Sequence, residues 1–100
     1  MSLKIMEATL LKEVADILNL PAQDVERESL KAFLGDKQKK LLVEQLQLTR
    51  KYGVNNVDEM DKFYAEGKLH EKETWEDYFE LSHVEAELNS IQKALQKLSQ

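Results

Sequence analysis

The 100-residue chain has no cysteine, one proline, three glycines, two histidines and one tryptophan. The missing thiols remove disulfides, thiolate-bound zinc, iron–sulfur clusters and cysteine nucleophiles from consideration, and they suit a reducing compartment, so a cytoplasmic protein is expected. Scarce proline and glycine deny the chain the punctuation that strands and tight hairpins need. No run of about 18 apolar residues is present to span a bilayer, and the N-terminus lacks the basic patch, apolar segment and cleavage site of a signal peptide. No membrane association is expected. The glycines stand apart at Gly35, Gly53 and Gly67, which excludes a phosphate-cradling loop.

What the chain has is leucine, sixteen of them, within a composition of 42% apolar and 33% charged residues that leans toward long helices. Leu3, Met6, Leu10, Val14 and Ile17, joined by Leu11 and Leu18, recur at helical spacing and predict a first helix over 3–18. Pro21 suits a helix start, with Asp24, Glu26 and Glu28 following near the positive end of the dipole. Apolar positions then continue from Val25 through Leu48, so a second helix is expected over 22–52, with Gly35 as a candidate kink. Gly53 fits the left-handed position after a helix end, and Arg50 and Lys51 complement that end electrostatically.

Asn56 followed by Glu59 is a capping-box pattern and predicts a short helix over 56–66, closed by Gly67. Thr74 with Asp77 repeats that logic and predicts a last helix over 74–98. Its seam, Leu81, Val84, Leu88, Ile91, Leu95 and Leu98, advances in steps of three and four, as a helix does when it buries one face against a companion. The expected fold is all-α, a single helical domain over 1–100 built as a hairpin or bundle with a coiled-coil-like seam. A 30-residue helix is about 45 Å long, against a radius of gyration of about 13 Å for a 100-residue domain. Apolar surface therefore projects beyond the monomer core, and a homodimer is expected to cover it. The alternative is a monomer whose second helix breaks at Gly35 and folds back as a bundle.

Charge is unevenly placed. Residues 22–51 carry seven Lys/Arg against five Asp/Glu, whereas residues 55–90 carry three lysines against eleven acids. Such an acidic surface repels phosphates, so nucleic acid is disfavoured and a basic partner favoured, unless the acids only solvate a helix hairpin. Glu80 and His83 have the Glu-x-x-His spacing of di-iron bundles, but no second copy accompanies them, and no metal or other cofactor is expected. Five of the seven aromatics, Phe63, Tyr64, Trp75, Tyr78 and Phe79, fall within seventeen residues. Offsets of three and four set Trp75 beside Tyr78 and Phe79, either as a small core under the short helix or as a partner-binding patch.

Val14-Ala15-Asp16-Ile17-Leu18-Asn19-Leu20-Pro21 followed by Val25-Glu26-Arg27-Glu28-Ser29-Leu30-Lys31-Ala32-Phe33-Leu34 is similar to the two-helix part of ribbon-helix-helix regulators. Further on, Lys51-Tyr52-Gly53-Val54, Gly67-Lys68-Leu69 and Thr74-Trp75-Glu76-Asp77-Tyr78, with the leucine seam after them, resemble short prokaryotic, largely archaeal, helical proteins that act as antitoxin-like partners of small toxins. The second resemblance implies a non-enzymatic protein that binds a basic, toxin-like protein, with no catalytic residue. The first implies a DNA-binding regulator and requires a leading strand where Leu3-Lys4-Ile5-Met6 fits a helix equally well. A carboxylate and histidine metal-binding helical protein is the third reading carried forward.

Overall fold

The structure, a computed structural model, describes residues 3–100, with side chains described from Glu7 onward. It is all-helical: α1 (Leu3–Leu18), α2 (Ala22–Tyr52), α3 (Val57–Ala65) and α4 (Glu71–Leu98), with no strand among the described residues. The Leu3 and Met6 positions of the expected first stripe lie outside the described side chains. Two compact units are present, residues 1–35 and residues 36–100.

Three helix ends share one device. Asn19, Gly53 and Gly67 each have positive φ, at 57°, 66° and 75°. In each case the next residue donates its N–H back to a carbonyl five positions earlier: Leu20 to Ala15 at 3.0 Å, Val54 to Thr49 at 3.0 Å and Lys68 to Phe63 at 2.8 Å. This is the Schellman closure, which satisfies carbonyls that a helix end would otherwise leave unpaired. Glycine and asparagine stand there because other side chains meet steric strain in the left-handed region. Gly35, by contrast, lies inside helical backbone, and α2 continues through it without a break.

Within residues 1–35, Asn19 ends α1 and Pro21 stands immediately before α2, its carbonyl accepting from Asp24 and Val25. Ala15 is the buried apolar side chain described in this unit, whereas Leu10, Val14, Ile17, Leu18, Leu20, Leu30 and Phe33 are exposed, Ile17 at 80% and Phe33 at 64%. Leu10, Val14, Ile17 and Leu18 lie at helical spacing on α1, and all four are exposed among the described residues.

Residues 36–100 hold the core. Val54, Met60 and Leu81 form its buried cluster, with Leu48, Tyr52, Val57, Phe63, Tyr64, Leu69 and Tyr78 packed around it. The end of α2 and the start of α4 run antiparallel, since Tyr52 meets Asp77 and Leu48 joins the cluster around Leu81. In this unit the companion of the α4 seam is α2: Leu81 and Val84 are fully buried, Ile91 nearly so, and Leu88, Leu95 and Leu98 half-buried. Short α3 closes the hairpin by laying Met60 into its base. Full burial of a side chain of that size is worth about 1.5–3 kcal/mol.

α4 begins three residues earlier than Thr74 signals. Glu71 and Glu73 occupy its first turn, where carboxylates face the positive end of the dipole. Thr74 instead turns its hydroxyl back to the His70 carbonyl at 2.9 Å, and Asp77 is taken by α2 rather than serving as a cap. α3 behaves as its motif predicts, with Asn56 accepting from the Glu59 N–H at 2.9 Å.

The glycines divide into two predictions. A Cβ at Gly53 or Gly35 meets no atom within 4 Å, so backbone conformation alone decides the effect of substitution. Gly53→Ala should lower unfolding stability by about 1–2 kcal/mol through left-handed strain. Gly35→Ala should raise it by about 0.5–1 kcal/mol by removing helical backbone entropy. Urea unfolding followed by circular dichroism reads both.

Candidate interaction site

The aromatics gather where α3 crosses the start of α4, at the closed end of the hairpin. Tyr64 of α3 and Tyr78 of α4 meet edge to face at 5.8 Å between centroids. Tyr78 continues to Phe79 at 5.6 Å, and Phe79 to Trp75 at 6.1 Å. Edge-to-face contact suits rings with negative faces and positive rims. Burial grades along this chain: Tyr64 and Tyr78 are half-buried against the core, whereas Trp75 and Phe79 are 51% and 61% exposed.

These four rings line a cleft of ≈ 220 Å³ together with Asp61 and Glu71. The Asp61 carboxylate faces the Tyr78 hydroxyl and, ahead of burial and the charges of Asp61 and Asp58, holds the Tyr78 phenol above its ordinary pKa. The Tyr64 hydroxyl is tied to the Thr74 hydroxyl, which fixes the α3 wall to the α4 wall. Phe63 is not part of the cleft. It packs on the core, with the Lys68 ammonium over its ring at 5.1 Å.

Two sets of polar contacts tie the elements at the end of the hairpin to one another. Asp77 accepts from the Lys51 ammonium at 2.8 Å and from the Tyr52 hydroxyl, joining α2 to α4. Hydrogen bonds from Lys51 and then Tyr52 hold the Asp77 carboxyl below its ordinary pKa. Asp77 in turn raises the Lys51 ammonium, while burial and then Asp77 raise the Tyr52 phenol. In the second set, Glu85 of α4 accepts the N–H of Val57 at 3.0 Å, placing a carboxylate on the N-terminus of α3. Glu59 reaches back to Asn55, through its N–H at 2.8 Å and its side-chain amide at 2.9 Å, and these bonds lower the Glu59 pKa.

Sequence reasoning named the rings but missed the cleft's acids. Asp61 precedes Tyr64 by three residues and Glu71 precedes Trp75 by four, a helical adjacency that could have been read. The Asp77 clamp spans 25 and 26 residues and leaves no local signal. Glu80 and His83 do not converge on a site: the His83 Nε2 lies 3.2 Å from Glu87 Oε1, one turn along. Among the described residues no three His, Asp or Glu side chains are grouped to hold a metal ion, and no helix is long and apolar enough to cross a membrane.

Fold and site together describe an all-helical hairpin whose closed end carries an acid-lined aromatic cleft. The chain belongs to the Uncharacterized protein MJ0235 family, whose sequence profile matches residues 1–100. No curated protein and no solved structure matches it.

The Asp77 clamp carries a pH signature. A depressed carboxyl pKa stabilises the fold above the ordinary value of 3.8 and loses that contribution as pH falls through the folded value. Raised Lys51 and Tyr52 values stabilise it below 10.5 and 10.0 and lose that contribution as pH rises through the folded values. Asp77→Asn should therefore weaken both limbs of a plot of urea midpoint against pH, leaving the Glu59 share on the acid side and the shares from Tyr52 burial and from Tyr78 on the alkaline side.

Proposed function

We propose that the chain is a non-enzymatic protein–protein interaction module that docks a basic partner protein on the closed end of its hairpin, most concretely as an antitoxin-like partner of a small toxin. One observation carries this reading: Trp75 and Phe79 stand half-exposed beside Asp61 and Glu71 on a scaffold that two sets of polar contacts tie together. Large aromatics held rigid at a surface lose little entropy on binding and anchor interfaces well. The acidic excess of residues 55–90 favours a basic surface opposite them and disfavours nucleic acid.

Self-association belongs to the same reading and rests on residues 1–35. A unit of fewer than about 40 residues rarely stands without disulfides, metal or oligomerisation. This one has no cysteine, and it exposes seven large apolar side chains while burying Ala15. A second copy offers the same stripe at the same concentration and closes the contact by two-fold symmetry. The ribbon-helix-helix alternative draws no support from the fold, because the residues needed for its leading strand lie in α1 (Leu3–Leu18).

The experiment is co-purification from the native host with identification of the bound protein, followed by variants. Trp75→Ala with Phe79→Ala should abolish binding of that protein while helix content stays intact and stability changes by no more than about 1 kcal/mol, as exposed positions allow. Tyr78→Ala should instead destabilise the fold, since that ring packs against the core cluster. Undiminished binding by the double variant contradicts the docking surface. Sedimentation equilibrium should give twice the chain mass, falling to a monomer for Ile17→Lys with Phe33→Lys.

A further inference from the structure

We propose that the cleft between α3 and the start of α4 is a guanidinium site, receiving one arginine side chain of the partner among Tyr64, Trp75, Tyr78 and Phe79 with its charge set against Asp61 and Glu71. The inference rests on the docking surface just described and names what enters it.

Size limits the guest. At ≈ 220 Å³ the cleft lies below the roughly 300–1,000 Å³ of sites built for drug-sized molecules, which suits a single long side chain. Chemistry selects its charge. The lining is four aromatic rings and two carboxylates, with no basic side chain among the described residues that line it. Five other acids of this unit have structural partners: Asp77 has Lys51 and Tyr52, Glu59 has Asn55, Glu85 has the Val57 N–H, Glu66 has Lys68 and Glu87 has His83. Asp61 faces the Tyr78 hydroxyl, and neither it nor Glu71 takes part in the ion pairs described for the chain. Ring faces carry negative potential and attract cations, and the two carboxylates reinforce that attraction.

Geometry favours arginine over lysine. A guanidinium is planar, stacks on ring faces, presents a fork of donors to carboxylates and is more weakly hydrated than an ammonium. Its aliphatic stem covers the exposed edges of Trp75 and Phe79 while its head reaches the acids.

Trp75 is the chain's one tryptophan, so its fluorescence and indole N–H resonance report on the cleft alone. The full chain is titrated through the millimolar range with N-acetyl-arginine amide, N-acetyl-lysine amide, the neutral isostere N-acetyl-citrulline amide, and sodium chloride at matched ionic strength. The expected result is a saturable Trp75 response to the arginine derivative, a weaker one to lysine and none to citrulline or salt. Asp61→Asn and Glu71→Gln, which keep an acceptor in place, should each weaken arginine binding by roughly two- to fivefold, the scale of a partly exposed charge pair. An equal response to citrulline, or binding indifferent to both substitutions, overturns the proposal. Partner binding that needs Trp75 and Phe79 but tolerates the Asp61→Asn, Glu71→Gln double variant overturns the guanidinium site and leaves the docking surface standing. Arginine binding with no protein partner that needs Trp75 and Phe79 supports the site and removes the docking function.

Discussion

Met60 lies under Leu81 and Val54 at the closed end of the hairpin, and the candidate site depends on that burial. Short α3 has nine residues, too few for a helix to persist in water on propensity alone. It stands because Met60 enters the core, Asn56 caps it from within its own strand of sequence and Glu85 caps it from α4. Once α3 is fixed, Tyr64 and Asp61 are set against the first turns of α4, and the cleft follows. Without Met60 in place, Tyr64 and Asp61 would have no fixed position relative to Trp75.

The molecule thus separates a part that is complete from a part that is not. Residues 36–100 bury Leu41, Val54, Met60, Leu81, Val84 and Ile91 and fasten their helices by charged hydrogen bonds, Lys51 to Asp77 and the Val57 N–H to Glu85. Residues 1–35 present leucine, isoleucine, valine and phenylalanine to solvent. Contiguous exposed apolar side chains on this scale mark surfaces that other chains cover. The acidic aromatic cleft of residues 36–100 and the exposed apolar side chains of residues 1–35 are each suited to contact with other chains.

Much of this could be read in the residues, for physical reasons that also say where reading fails. α1 and α2 were legible to the residue because leucine periodicity marks their bodies while Pro21 and Gly53 mark their limits, although Asn19, which ends α1 in the left-handed region, went unread. Asn56 and Glu59 announced α3 since capping is local chemistry. Thr74 misled for the converse reason: its hydroxyl had a competing acceptor at His70 and a neighbour in Tyr64, neither implied by the capping pattern. The aromatic cluster was visible, yet its division into a buried pair and an exposed pair was not, because that depends on which ring faces Met60 and Leu81. Asp77 had been paired with Thr74 as a capping pattern, and its actual role went unread because its partners, Lys51 and Tyr52, come from the far end of another helix.

Native-state hydrogen exchange resolved by residue tests the central claim most directly. If the closed end organises the molecule, the slowest amides will lie in α3 and in the facing turns of α2 and α4 around Leu48, Met60, Leu81 and Val84, exchanging together near the global unfolding free energy. Protection in α3 that vanishes at far lower free energy than in α4, or that is exceeded by α1, would contradict it.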